Sequence, residues 1–346
     1  MTQPGEPLQP AAVLRRIAFL LESAAEPGYR VRAFRRAARA IEDLSREELA
    51  ELARAGKLTG LAGIGDVTAG IIAEALEGKT AYLDRLVEAG VAPVPDLPEA
   101  ASDLLLQLRG DCHTHSDWSD GGATIREMAE TAIALGREYI VLTDHSPSLT
   151  VARGLSPERL EEQLAVVEAL NRDLAPFRIL TGIEVDILED GGLDQTDGLL
   201  GRLDVVVASA HSKLRMEPEG MTRRFLAALA NPHLDILGHC TGRLIYGRGR
   251  PESTFDGEAV FEAAVRYDKA VEINSRPERL DPPPRLMQLA QQAGCRFAID
   301  SDAHAEGQLS WLRHGAEIAV AASVDAPRIV NAMAADDLLA WTKGHG

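Results

Sequence analysis

The 346-residue sequence predicts an α/β fold, a seven-stranded βα barrel preceded by a small all-α domain, and three observations carry that prediction. From Leu14 to about Glu88 apolar residues recur at three- and four-residue spacing, as in VLRRIAFLLESA and LAELARAGKLTGLAGIG, with no strand pattern between them. VAPVPDLPEA (Val91 to Ala100) then places three prolines in ten residues, which stops helices and reads as a linker. Beyond it, seven short apolar runs alternate with amphipathic helical stretches: LLLQLRGD, YIVLTDH, RILTGIE, DVVVASAH, LDILGHC, AVEINS and RFAIDSDAH. That texture belongs to βα units and a parallel sheet. The expected division is a helical domain over 1–90, a Pro-rich linker over 91–105 and the barrel over 106–346.

Composition narrows the function classes. A hydrophobic fraction of 45% with 26% charged residues is globular, and the apolar runs fall well short of the roughly 20 residues a membrane helix needs. MTQPGEPLQP lacks a secretory plan and three cysteines make no disulfide framework, so a reducing cytoplasm is the expected compartment. A net charge of −17 argues against a chain that coats nucleic acid through many phosphate contacts, so any DNA contact must be local.

Each apolar run ends in polar, ligand-type residues. A parallel barrel collects its functional groups at the C-terminal ends of its strands, whereas an open doubly wound sheet gathers them mainly at one switch point. Here nearly every strand contributes: His113, His115 and Asp120 near the first run, then His145, Glu184, His211 and His239, and finally Asp302 and His304. Six of the nine histidines sit there, leaving His233, His314 and His345 as bystanders. His-x-His on an extended segment turns both imidazoles to one face. So many titratable groups cannot converge without ions to satisfy them. Nine ligands suit two or three divalent ions, with Glu184 as a bridging carboxylate. Mixed imidazole and carboxylate donors fit Zn, Mn or Fe alike. Such a site is built to hydrolyse phosphate esters, and Arg243 in GHCTGR is either a bidentate phosphate clamp or a surface loop arginine.

The series HTHSDWSDG, TDHS, GIEVDI, SAHS, GHCTGR and SDAH, in order, resembles the polymerase-and-histidinol-phosphatase (PHP) family of metal-dependent phosphoesterases from roughly Leu106 onward. The resemblance implies a distorted seven-stranded barrel and a trinuclear site ligated by His113, His115, Asp120, His145, Glu184, His211, His239, Asp302 and His304.

In the helical domain, LAGIGDVTAGIIAEAL carries Gly63 and Gly65 between two helical patterns, a hairpin able to aim backbone N–H groups at a phosphate. Upstream, YRVRAFRRAARA gathers Arg30, Arg32, Arg35, Arg36 and Arg39; Gly63, Gly65, Arg32, Arg35 and Arg36 are the candidate DNA contacts. Together these stretches resemble the helix-hairpin-helix domain of family X DNA polymerases. Only a linker's length separates Gly90 from Gln107, so no nucleotidyl-transfer domain and no polymerase activity are expected. DVTAGIIAEAL lacks the Schiff-base lysine of the polymerase beta branch, so no lyase activity by that route is expected either. The expected activity is ester hydrolysis on DNA, as a 3′-to-5′ exonuclease or by 3′-end processing of single strands or ends. A small-molecule phosphomonoesterase, such as a histidinol-phosphate phosphatase, is the alternative, and the oligomeric state stays open.

Overall fold

The computed structural model describes residues 8–89, 97–247 and 249–345. The chain divides into two compact units, Met1–Asp96 and Leu97–Gly346. The first holds five α-helices among its described residues: α1 (Pro10–Ser23), α2 (Gly28–Ala40), α3 (Arg46–Arg54), α4 (Asp66–Leu76) and α5 (Ala81–Glu88). Their apolar stripes close on one core that includes Leu14, Ile17, Leu21, Phe34, Ile41 and Ile72. Ser45 and Glu48 form a reciprocal capping box at the start of α3. Between α3 and α4 the chain turns at Gly63, whose φ of +92° is a left-handed conformation that only glycine takes at low cost.

The second unit opens with α6 (Glu99–Gln107) and then runs through β1 (Gly110–Thr114), α7 (Ile125–Ala134), β2 (Tyr139–Leu142), α8 (Pro157–Leu174) and β3 (Arg178–Asp186). It continues through α9 (Asp197–Leu200), β4 (Val205–Ser209), α10 (Pro218–Leu229), β5 (Ile236–Leu237), α11 (Gly257–Arg266) and β6 (Ala270–Asn274). The last elements are α12 (Pro284–Ala293), β7 (Arg296–Asp300), α13 (Leu312–Ala321) and α14 (Ala335–Thr342). The seven strands follow one another in sequence order, each parallel to the next. A parallel bridge between Thr114 and Ala303 brings the last strand back to the first, which makes the sheet a barrel.

Alternation along the strands sorts their side chains into two layers. Val206, Ala208, Val271, Ile273, Phe297 and Ile299 pack with the surrounding helices. Val205, Val207, Ile236, Ala270 and Ala298 fill the interior with Cys112, Tyr139 and Leu180, floored by Leu338 and Trp341 of α14. The apolar interior therefore occupies the N-terminal end of the barrel, leaving the C-terminal rim to polar side chains.

One expected strand is displaced. LLLQLRGD reads as the first strand, yet Leu104 to Leu106 lie in α6 and the strand begins at Gly110. Ala101, Leu104 and Leu108 are buried while Leu106 is 80% exposed, a spacing of three and four that suits a helix and not an alternating strand. Helix α6 thus occupies much of the expected 91–105 linker, of which residues 91–96 lie outside the described residues. Among the described residues no helix is long and apolar enough to cross a membrane.

Candidate metal centre

At the C-terminal rim the nine predicted ligands are brought together. Glu184, near the end of β3 and 1% exposed, lies at their middle. Its Oε1 is 2.9 Å from His239 Nε2 and 3.2 Å from His211 Nε2, while Oε2 is 2.8 Å from His145 Nδ1, 3.3 Å from His113 Nε2 and 3.6 Å from His115 Nε2. Asp302 faces the same space, its Oδ1 3.5 Å from His115 Nε2. At the outer edge Asp120 Oδ1 is 3.4 Å from His304 Nε2 and 3.5 Å from His145 Nε2. One ligand atom from each of His115, Asp120, His145 and His304 lies within 4.8 Å of the others; so do those of His113, His115 and Glu184, and those of His145, Glu184 and His211.

The donor set fits divalent cations. His113 Nε2, both ring nitrogens of His115 and His211, His145 Nδ1, His239 Nδ1 and Glu184 Oε2 are buried and make no hydrogen bond. Native proteins rarely leave so many polar atoms unsatisfied in one place unless something else occupies them. The electrostatics agree in direction. Burial opposes ionisation of Glu184, yet His211, His113 and His145 hold its carboxyl well below the usual range. Burial likewise opposes charge on Asp302, and Arg276 and His113 outweigh it. Conversely, the carboxylates of Glu184, Glu272 and Asp302 keep His113 well above an ordinary imidazole despite its burial. Beside His113 the pocket therefore favours positive charge among its carboxylates, a place that a metal ion takes in exchange for protons, whereas burial, His304 and His145 hold His115 well below the ordinary imidazole range.

Residues behind the ligands fix their orientation. Nδ1 of His113 donates to Oε1 of Glu272 on β6, which turns Nε2 into the cluster. The other Glu272 oxygen accepts from the His239 backbone N–H and from Asn274 Nδ2 at 3.1 Å. His304 Nδ1 lies 2.9 Å from both the Asp302 carbonyl and Arg276 Nη1, and its Nε2 faces Asp120. Asp120 rides on a loop held by the buried Asp144 carboxylate, which accepts from Ser116 N–H at 2.9 Å, Ser116 Oγ at 2.6 Å, Ser119 Oγ and Gln163 Nε2 at 2.6 Å. Gly121 closes that loop so tightly that a Cβ there would lie 2.5 Å from the Ser116 carbonyl oxygen. Sequence reasoning missed Glu272 and Asp144; an acid inside the otherwise apolar run AVEIN was the signal for the first.

Two of the expected contacts already have partners within the chain. Arg243 Nε donates to the Arg279 carbonyl at 2.9 Å and Nη2 to the Leu280 carbonyl, so two of its donors serve the backbone. Arg35 is not a free basic contact either, since it is ion-paired at 2.7 Å with Glu22, and those side chains are 10% and 5% exposed. Arg32 and Arg36 are exposed on α2. Gly65 precedes α4 and its N–H donates to Thr68 Oγ1 at 3.0 Å, so this donor serves the helix cap. Of the bystander histidines, His345 pairs with Asp235 at 2.8 Å and His314 faces Glu317 at 3.6 Å.

Comparisons with known proteins follow the same division. Residues 8–81 match the helix-hairpin-helix domain model, and residues 111–276 match the PHP domain model. The chain is 40% identical over 237 residues to the DNA polymerase/3′-5′ exonuclease PolX of Bacillus subtilis (strain 168), covering 68% of this chain and 41% of that protein. It therefore spans less than half the length of this relative. A probable phosphatase of Thermoanaerobacter sp. (strain X514) is 34% identical over 212 residues, covering 58% of this chain and 80% of that protein. A crystal structure of the histidinol phosphate phosphatase of Lactococcus lactis, complexed with zinc, L-histidinol and phosphate, superposes with a TM-score of 0.48 at 18% identity, over 63% of this chain and 95% of that one.

Proposed function

Since this chain belongs to the PHP family and is a phosphoester hydrolase with an N-terminal helix-hairpin-helix unit, we propose that it hydrolyses phosphate esters at DNA ends, as a 3′-to-5′ exonuclease or a 3′-end processing enzyme. The observation that carries the reading is the company of a hairpin unit with a hydrolytic barrel in one chain, since tethering keeps a DNA end at high local concentration near the ligand cluster. The PolX relative, whose name includes a 3′-5′ exonuclease, supports the same substrate class.

In this reading His113, His115, Asp120, His145, Glu184, His211, His239, Asp302 and His304 hold two or three divalent ions, Zn, Mn or Fe. When bound, such ions polarise the phosphoryl group and make water acidic enough to attack it at neutral pH. The protein side chains do the rest by placement. Glu184 lies against five of the histidines at once, from where its two oxygens would serve more than one ion. Glu272 fixes His113, Asp144 fixes the loop that carries Asp120, and burial of the cluster keeps its charges weakly screened. On the helical unit, exposed Arg32 and Arg36 and the backbone amides at Gly63 and the start of α4 are the groups proposed to meet the phosphates of a single strand or end.

A second reading, a small-molecule phosphomonoesterase, is favoured by the probable-phosphatase relatives, most of whose length the barrel spans. The deciding experiment uses manganese-loaded full chain with a 5′-labelled single-stranded oligonucleotide on a denaturing gel. Controls are a His113→Ala/His115→Ala double variant and an Arg32→Glu/Arg36→Glu double variant. The DNA reading expects a ladder of shortened products, abolished by the first variant and weakened by the second. An intact oligonucleotide, alongside phosphate release from small monoesters that the histidine variant abolishes, would replace it with the phosphomonoesterase reading.

A further inference from the structure

A cavity of about 570 Å³ opens between α12, the last turn of α13 and the loop after β6, and it shares no residue with the ligand cluster. Most of its wall is apolar: Leu280 from the loop, Met287 from α12, and Ile318 and Ala321 from α13. That size and make-up belong to small-molecule sites, where an apolar surface carries a ring and a few polar groups fix its orientation.

Two kinds of polar group line this cavity. Gln288, Gln291 and Gln292 repeat at the three- and four-residue spacing that puts side chains on one face of α12, and their amides make no hydrogen bond among the described residues. A primary amide offers a donor beside an acceptor, the pattern that matches the N6 and N7 edge of adenine. The other polar group is Arg243. Its Nε and Nη2 donate to the carbonyls of Arg279 and Leu280, which uses one edge of the guanidinium and leaves the fork formed by Nη1 and the second hydrogen of Nη2. Such a fork binds phosphate oxygens in pairs. Among the described residues no Asp or Glu lines the cavity, although the chain carries 53 of them and a net charge of −17. An anion there meets one cation and no opposing carboxylate.

We propose that this cavity is a second ligand site, separate from the cluster, that binds an adenine nucleoside monophosphate. The base lies on the apolar wall with its edge on the glutamines of α12, and the phosphate takes the open fork of Arg243. The same side chain braces the loop after β6, so a bound nucleotide grips a residue that holds two backbone carbonyls of that loop. The inference goes beyond the phosphoesterase reading, and binding is measurable without turnover.

The test titrates deoxyadenosine monophosphate into metal-loaded full chain by calorimetry, with deoxyadenosine as the phosphate-free control. Four proteins are compared: wild type, Arg243→Met, the groove-filling Ala321→Trp at an exposed position, and the His113→Ala/His115→Ala double variant. Melting curves confirm that each is folded, and turnover of a small phosphomonoester is followed alongside. The proposal expects binding to wild type that survives in the histidine variant, weakens about 10-fold or more in Arg243→Met and is lost in Ala321→Trp. Deoxyadenosine should bind wild type more weakly than its monophosphate by a similar factor. Nucleotide binding that ignores Ala321→Trp but vanishes in the histidine variant would place the ligand on the cluster alone; that overturns the proposal and leaves the phosphoesterase reading standing. No binding to a wild type that still turns over the ester would overturn it as well. Binding with the expected variant pattern in a protein without ester turnover would uphold this site and sink the phosphoesterase reading.

Discussion

His113 Nδ1 donates to Glu272 Oε1 across the barrel interior, from β1 to β6, with both side chains at 0% exposure. That contact fixes the ring's orientation: Nδ1 is taken by Glu272, so Nε2, which faces Glu184, is the nitrogen left to exchange its proton for an ion. The same carboxylate receives the His239 N–H, so one acid orients two ligands.

Glu272→Gln should therefore weaken metal binding by about 10- to 100-fold, the usual effect of losing a partner behind a ligand. Its amide nitrogen would face either the His113 donor or the His239 backbone donor. Competition with a fluorescent chelator checks this, and an unchanged affinity would reduce Glu272 to packing.

Asp144→Asn should cost about 1–3 kcal/mol of stability, because a carboxylate that accepts from four donors would be replaced by an amide that brings a donor of its own into a buried site. Urea unfolding of the metal-free proteins measures it. A midpoint equal to wild type would show that the loop carrying Asp120 does not depend on this acid.

Lys269 gives a pH signature away from the site. Burial lowers its pKa to about 8, although Asp235 and Asp268 pull the other way, and its ammonium donates to the Pro232 carbonyl at 3.2 Å. The folded value lies below that of a free lysine, so between about pH 8 and 10.5 the unfolded chain binds the extra proton and this group's contribution to stability rises with pH. Lys269→Met should melt higher than wild type at pH 7, with the gap narrowing by pH 10. Parallel melting curves of the two proteins across that range would contradict the assignment.

The convergence of the histidines was legible because histidine is scarce in this chain and each relevant one directly follows an apolar run, so strand order alone sends them to one rim. What lay beyond reach was partnership between distant segments. Arg35 looks like surface charge until α1 supplies Glu22 thirteen residues upstream. Arg243 and Arg279 are indistinguishable as loop arginines, and only the folded loops reveal that one supports the backbone of the other. LLLQLRGD misled because three adjacent leucines satisfy a strand pattern locally, whereas the exposure of Leu106 between buried Leu104 and Leu108 is decided by packing.

The bridge between Thr114 and Ala303 has a consequence for assembly. It is the seam where the barrel's two ends meet after the whole chain between them has been laid down, and His113 and His115 stand on one side of it with Asp302 and His304 on the other. No run of consecutive strands short of all seven owns the complete pocket, so partly folded forms cannot acquire it early. Whatever fills the pocket clasps first strand to last, closing the strand pairing with the largest separation in sequence and hence the pairing that chain entropy resists most.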